Sequence, residues 1–275
     1  MIVEKKKYFI LIGVLLLVVA GIIAFFVIKP KKNKAKIEKV HFSNSQAEIN
    51  NKTYEIGDYT VALKKSIYSK KGRIGKLLFE VTKKDGKPEI KKIAGDGRIS
   101  SFGAGDNWMM ITMSASGTIS STASYEGDKL KIFTEFSMNA PDESNPDEVE
   151  AIENYPIYIY CKNDEDSDDG KYGFKLEENS DEKEIKLLGS QRLVYSPLGL
   201  TIYSDARIGR ALVEFENAKG KKKVAMDVEK ESSDIAGFFG SGCGTGAGYT
   251  YQYTFKNLYD VSKIKKVYVN GKCVG

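Results

Sequence analysis

The chain has 275 residues, with 42 lysines and arginines against 37 acids, one histidine and three cysteines. Its formal charge of +5 is uneven: residues 1–40 hold nine lysines and two glutamates, a net of +7, and the remaining 33 basic and 35 acidic residues sum to −2. A nucleic-acid reader concentrates positive charge in its folded part, so that class of partner is excluded, and the lone His41 leaves little from which to build a serine triad or a histidine-bearing zinc site.

From Tyr8 to Ile28 (YFILIGVLLLVVAGIIAFFVI) there are 21 residues without a charge. About 20 residues at 1.5 Å rise cross roughly 30 Å of hydrocarbon, so the stretch predicts a transmembrane helix over 8–28. Lys5 to Lys7 precede it and Lys29, Lys31, Lys32, Lys34 and Lys36 follow. Residues 1–7 then read as a short cytoplasmic N-terminus and 29–42 as a basic tether. A signal peptide cleaved after Val18-Val19-Ala20 is the rival, but the apolar run continues eight residues past Ala20, longer than such a core should be. The lysine count leans towards a cytoplasmic body. Long domains translocate largely regardless of local charge, and the signal-anchor layout places the body outside. The expected localisation is the cell membrane, single-pass, with the lipid bilayer as one partner.

Beyond the tether, short alternating runs are separated by Gly, Asp, Asn and Ser, the pattern of an antiparallel β fold. Leu77, Phe79 and Val81 are expected to face a core, as are Leu130, Ile132, Thr134 and Phe136, and Ala211, Val213 and Phe215. Turn signals stand at Lys84-Asp85-Gly86, Glu126-Gly127-Asp128, Asp169-Gly170, Lys219-Gly220 and Asn270-Gly271, where Gly or Asn takes positive φ at low cost. One short helix is predicted from Asn145 to Ile152, with Asn145 as N-cap, Pro146 at the first helical position and acids in the first turn.

An internal repeat organises the body. Ile67-Tyr68-Ser69 followed by Arg73-Ile74-Gly75-Lys76 recurs as Ile202-Tyr203-Ser204 followed by Arg207-Ile208-Gly209-Arg210, and seven of the fifteen positions from Arg73 to Lys87 are identical at an offset of 134. The prediction is an all-β body of two tandem, related β-sandwich domains of immunoglobulin-like size, 43–184 and 185–275, behind the N-terminal transmembrane helix.

No Gly-Lys pair is followed by Ser or Thr, which removes the P-loop, and no cofactor is expected. The glycine-rich run from Gly237 to Gly248 lacks the G-x-G-x-x-G spacing and leads into a strand, so it reads as an interstrand loop whose Gly242, Gly244 and Gly246 are candidate ligand contacts. Asp164, Asp166 and Asp168 form a calcium-like cluster in the wrong register for an EF-hand, and an exposed acidic turn between hairpin arms explains them better. Tyr249, Tyr251, Tyr253 and Phe255 read as one buried strand face. Tyr158 and Tyr160 lie opposite Ile157, Ile159 and Cys161, which makes them, with Trp108, the better candidates for exposed aromatic contacts able to stack on sugars. If Tyr249–Phe255 and Ile264–Val269 pair as a hairpin, Cys243 comes near Cys273, and a bridge there would close a loop of about 30 residues worth ~3 kcal/mol.

The segment Val194-Tyr195-Ser196-Pro197-Leu198-Gly199-Leu200-Thr201-Ile202 and the ending Val261 to Gly271 resemble the extracytoplasmic β-sandwich repeats of single-span membrane proteins in Gram-positive bacteria, including those attached to anti-sigma factors. That resemblance implies an extracytoplasmic sandwich. Only seven residues precede the span, so no cytoplasmic sigma-binding module is expected. The reading is a membrane-anchored, non-catalytic binding or interaction protein, its partner an envelope protein or cell-wall glycan. The alternative is a structural or accessory subunit of a membrane or envelope complex.

Overall fold

The computed structural model describes residue 42 and residues 48–49, 52–92, 98–141, 144–163, 171–178, 180–230, 234–241 and 248–275. The expected span over 8–28, the N-terminus before it and tether residues 29–41 lie outside them. No helix among the described residues is long and apolar enough to cross a membrane.

Alternating sequence becomes antiparallel sheet throughout. β1 (Glu48–Ile49) and β2 (Thr53–Ile56) lie in succession along one edge of β3 (Tyr59–Ser69), which turns into β4 (Ile74–Lys83). β5 (Ile90–Lys92), β6 (Ile99–Phe102) and β7 (Met109–Met113) form a second, meandering layer, and the hairpin of β8 (Gly117–Glu126) and β9 (Lys129–Met138) returns to the first. Helix α1 (Pro146–Asn154) precedes β10 (Ile157–Cys161) and β11 (Gly173–Phe174). The first sheet is ordered β1-β3-β4-β9-β8 with β2 also on β3, and the second is β11-β10-β7-β6-β5.

In the second half, β12 (Lys183–Lys186), β13 (Arg192–Ser196) and β14 (Gly199–Ser204) form a meander, β15 (Leu212–Asn217) and β16 (Lys222–Asp227) a hairpin, and β17 (Ala236–Ser241) and β18 (Tyr249–Phe255) another. A 3-10 turn at Val261–Lys263 leads to β19 (Ile264–Val269) and β20 (Lys272–Cys273). The third sheet is β12-β13-β14-β18-β17 and the fourth β16-β15-β19-β20. The expected boundary between residues 184 and 185 falls within β12.

Each pair of sheets shares a core, giving a β-sandwich-like arrangement. Leu77, Phe79, Val81, Leu130, Ile132 and Phe136 of the first sheet meet Met109, Ile111, Ile157, Ile159 and Phe174 of the second. Leu200, Ile202, Tyr251, Tyr253 and Phe255 of the third meet Val213, Phe215, Met226 and Val267 of the fourth. Burial of each such side chain stabilises the fold by about 1.5–3 kcal/mol. The expected turn residues Gly86, Gly127, Gly220, Asn270 and Gly271 all take positive φ. Asn145 caps α1 by accepting from the Glu148 N–H at 3.3 Å, with Pro146 behind it.

Two expectations need correction. β18 and β19 do not form a hairpin: β18 pairs with β14 and β17, and β19 with β15 and β20, in different sheets. The chain leaves β18 through a segment in which the Tyr259 N–H donates to Pro197 O at 2.9 Å and Val261 enters the core, which carries it across the sandwich. The repeat is also displaced. Sheet order β2-β3-β4-β9-β8 recurs as β12-β13-β14-β18-β17, so β4 corresponds to β14. The sequence match instead sets β3 and β4 against β14 and β15, one strand further on.

Residues Ser43–Gly275 form one compact unit, and a polar seam joins the two cores. Thr250, Gln252 and Thr254, on the far face of β18 from its aromatics, are buried. Gln252 Nε2 donates to Met138 O at 2.8 Å and Gly72 O at 3.1 Å, while Thr201 Oγ1 donates to Gly72 O at 2.7 Å. Lys76 is fully buried, with Nζ 2.8 Å from Glu135 Oε1 and 3.0 Å from Phe255 O. Arg210, its counterpart in the sequence repeat, is largely exposed.

Candidate functional site

In the second sheet Tyr158 lies opposite Thr112 and Tyr160 opposite Met110. Ile157, Ile159 and Cys161 are buried in the first core, so the two-residue strand period sends both tyrosines to the other face. Trp108 shares the parity of Met110, and its ring lies against that of Tyr160, with centroids 5.7 Å apart at 45°. All three aromatics are half-buried. The structure thus brings Trp108 against Tyr160, with Tyr158 on the same sheet face two residues away.

Trp108 is held from both sides. Gly103 donates its N–H to Glu89 O at 2.9 Å and takes φ +103°, and a Cβ there would come within 2.6 Å of Asn107 O and 3.2 Å of Trp108 Cα. Glycine is therefore required where the chain doubles back to present the indole. The Lys162 N–H donates to Trp108 O at 3.2 Å. Alongside, Lys162 Nζ lies 3.2 Å from Asp106, and Asn163 Nδ2 donates to Asn107 Oδ1 at 2.5 Å.

Trp108 lines two clefts. One, of about 310 Å³, lies towards the β2–β3 turn and is lined by Asp58, Tyr59, Asn107, Trp108, Lys162 and Asn163 among others. The other, of about 450 Å³, is lined by Glu89, Lys91, Ser100, Gly103, Trp108 and Met110 among others. Both volumes fall in the range of roughly 300–1,000 Å³ typical of small-ligand sites. Each cleft carries one acid and one base, Asp58 with Lys162 and Glu89 with Lys91, so neither has net charge.

Tyr59 supplies an irregularity in the first cleft. It is 6% exposed, and its buried hydroxyl has no hydrogen-bond partner among the described residues. An unsatisfied buried hydroxyl costs about 1–3 kcal/mol. Nothing in the sequence marks Tyr59 in this way; it follows the Gly57-Asp58 turn as an ordinary strand residue. Asn107 and Asn163 were equally invisible, since only the β7–β10 pairing sets them side by side.

A second polar cluster lies where the β3–β4 turn approaches β12. Ser69 Oγ donates to Glu182 Oε2 at 2.6 Å, and the Lys71 N–H donates to it at 3.3 Å. Burial, with Glu178 close by, pushes the Glu182 carboxyl above the usual range despite those donors. Tyr203 donates to Lys71 O at 2.5 Å, and burial raises its hydroxyl to about 12.

Asp164, Asp166 and Asp168 lie outside the described residues, as do Gly242, Gly244, Gly246 and Cys243. Cys273 is exposed in β20, opposite Tyr268. The hairpin that would have brought Cys243 towards it does not form. Among the described residues no three His, Cys, Asp or Glu side chains gather as a metal site.

Fold and site together define an all-β, sandwich-like protein with an aromatic shelf on one sheet face. No family model matches the chain, and no curated protein does. A solved structure, a conserved domain protein from Bacillus anthracis, is similar at 11% identity over 84% of this chain and 79% of that one, with a TM-score of 0.38. A likeness of that strength informs neither fold nor function.

Proposed function

We propose that this chain is a membrane-anchored, non-catalytic binding protein whose extracytoplasmic body presents the Trp108–Tyr160 shelf to a ligand of the cell envelope. The single observation that carries the reading is that shelf: two large aromatic rings, half-buried on a sheet face and packed on each other, with Trp108 lining two clefts of no net charge. An indole left partly in contact with water contributes less to folding than a fully buried one, whereas aromatic groups with a polar rim are what recognition surfaces employ. The 21-residue uncharged stretch supports the anchor, and the long body behind it supports the signal-anchor orientation. The recurrence of one sheet order in both halves supports two tandem, related β-sandwich domains, each with its own core.

Two measurements test the proposal. Protease added to intact cells should remove the body, and full protection of the body in sealed cells would overturn the orientation. Full-length protein in detergent should sediment with purified envelope material, and Trp108→Ala should release it. Retention that is indifferent to Trp108, but lost with the anchor, would favour the accessory-subunit alternative.

A further inference from the structure

We infer that the two clefts meeting at Trp108 are adjacent subsites for a neutral, linear oligosaccharide chain that crosses the indole. The inference rests on the binding-protein reading and specifies its ligand. Three independent observations carry it.

The first is position. Trp108 lies beside β10 on one side, where the Asp58–Asn163 cleft opens, and beside the β5–β6 edge on the other, where the Glu89–Ser100 cleft opens. A ligand confined to one cleft would use half of the surface; a chain passing Trp108 from one cleft to the other uses both. The flat, apolar face of a sugar ring matches an aromatic ring, and Tyr160 extends that surface along the sheet.

The second is charge. Each cleft pairs one acid with one base, so neither attracts a polyanion or a polycation. What the rim offers is hydrogen bonding. The Asn107–Asn163 bond uses one donor and one acceptor, and the two amides retain a carbonyl and NH hydrogens for hydroxyl groups.

The third is the buried Tyr59 hydroxyl, which lacks a partner among the described residues although the ring lines the first cleft. Its oxygen is closed to solvent, so a ligand hydroxyl entering that cleft pairs with it once the cleft wall gives way. Buried polar groups in native structures are almost always paired, and this is the group in the wall that such a ligand atom would satisfy.

The experiment is calorimetric titration of the full-length protein in detergent with two neutral ladders, β-1,4-linked glucose and β-1,4-linked N-acetylglucosamine, from one to six units. At least one ladder should bind, with affinity rising by about tenfold or more from one unit to three and then levelling off. Trp108→Ala should weaken the longer oligomers by about 30-fold or more. Tyr59→Phe removes one oxygen and keeps the ring; it should leave the melting temperature unchanged or higher and weaken binding by up to about tenfold. Ser100→Arg, at an exposed position of the second cleft, should abolish the gain with length and spare the single sugar. Absence of binding by both ladders, or binding with no dependence on length, overturns the inference. If envelope binding still requires Trp108 in that case, the binding-protein reading stands with another ligand; if envelope binding is absent as well, both fail.

Discussion

Glu182 shows how one carboxyl can work against the fold that holds it. Its pKa is raised by burial, with Glu178 adding to the effect, while Ser69 and the Lys71 N–H offset only part of it. A raised carboxyl pKa means that the folded chain binds the proton more readily than the unfolded one. The associated stability is therefore complete below the unfolded value of about 4.3, and it is lost as pH rises through the folded value. Glu182→Gln keeps an oxygen to accept from Ser69 and removes the charge. It should raise the melting temperature at pH 7 and leave it nearly unchanged near pH 4, as scanning calorimetry at both pH values would show. Glu80 behaves in the opposite sense: burial would raise its pKa, but the hydrogen bonds and charges of Lys131 and Lys129 outweigh that and lower it. Neither effect is legible in the sequence, because Ser69 and Glu182 are 113 residues apart and only the docking of the turn on β12 brings them together.

At the scale of elements, turns and strand faces were readable and partners were not. Gly86, Gly127, Gly220 and Gly271 stand where local backbone chemistry demands positive φ, and α1 begins where its cap and proline place it. Pairing is a non-local choice. The run from β18 to β19 resembles a hairpin in sequence, yet Val261 and Tyr259 give the chain a better burial by crossing to the opposite sheet. The displaced repeat has the same cause: matching residues report similar local surroundings, while strand order is set by hydrogen bonds to distant segments. Gly103 was not singled out, because the clash it avoids is with a carbonyl in the following loop. Gly103→Ala should destabilise the protein by about 1–3 kcal/mol in urea unfolding and weaken envelope binding together with it. Unchanged stability would mean that the loop relaxes without cost.

The whole molecule departs furthest from what alternation suggests. A strand in a two-sheet sandwich needs one apolar face, and β18 provides it with Tyr251, Tyr253 and Phe255. Its other face is buried too, by the Gly72 turn and the end of β9, and it is polar because it must satisfy carbonyls that no strand pairs. Sequence patterning cannot distinguish such a face from one that meets water. The seam predicts mechanical unity: the two halves should unfold in one cooperative transition. Gln252→Ala leaves Met138 O without its side-chain donor, while Gly72 O keeps Thr201, and should cost about 1–3 kcal/mol, with the single urea transition broadening or splitting in two. A wild-type protein that already unfolds in two steps would contradict this coupling.

Trp108 has one more consequence, an optical one. It is the chain's sole tryptophan, so all intrinsic indole emission comes from the shelf. A sugar lying on that ring would shift or quench the emission with no label attached, and Tyr160, 5.7 Å away, is an energy donor to it. The same signal watches the first half alone during denaturation, while circular dichroism watches both. Disagreement between the two would reveal halves that have come uncoupled.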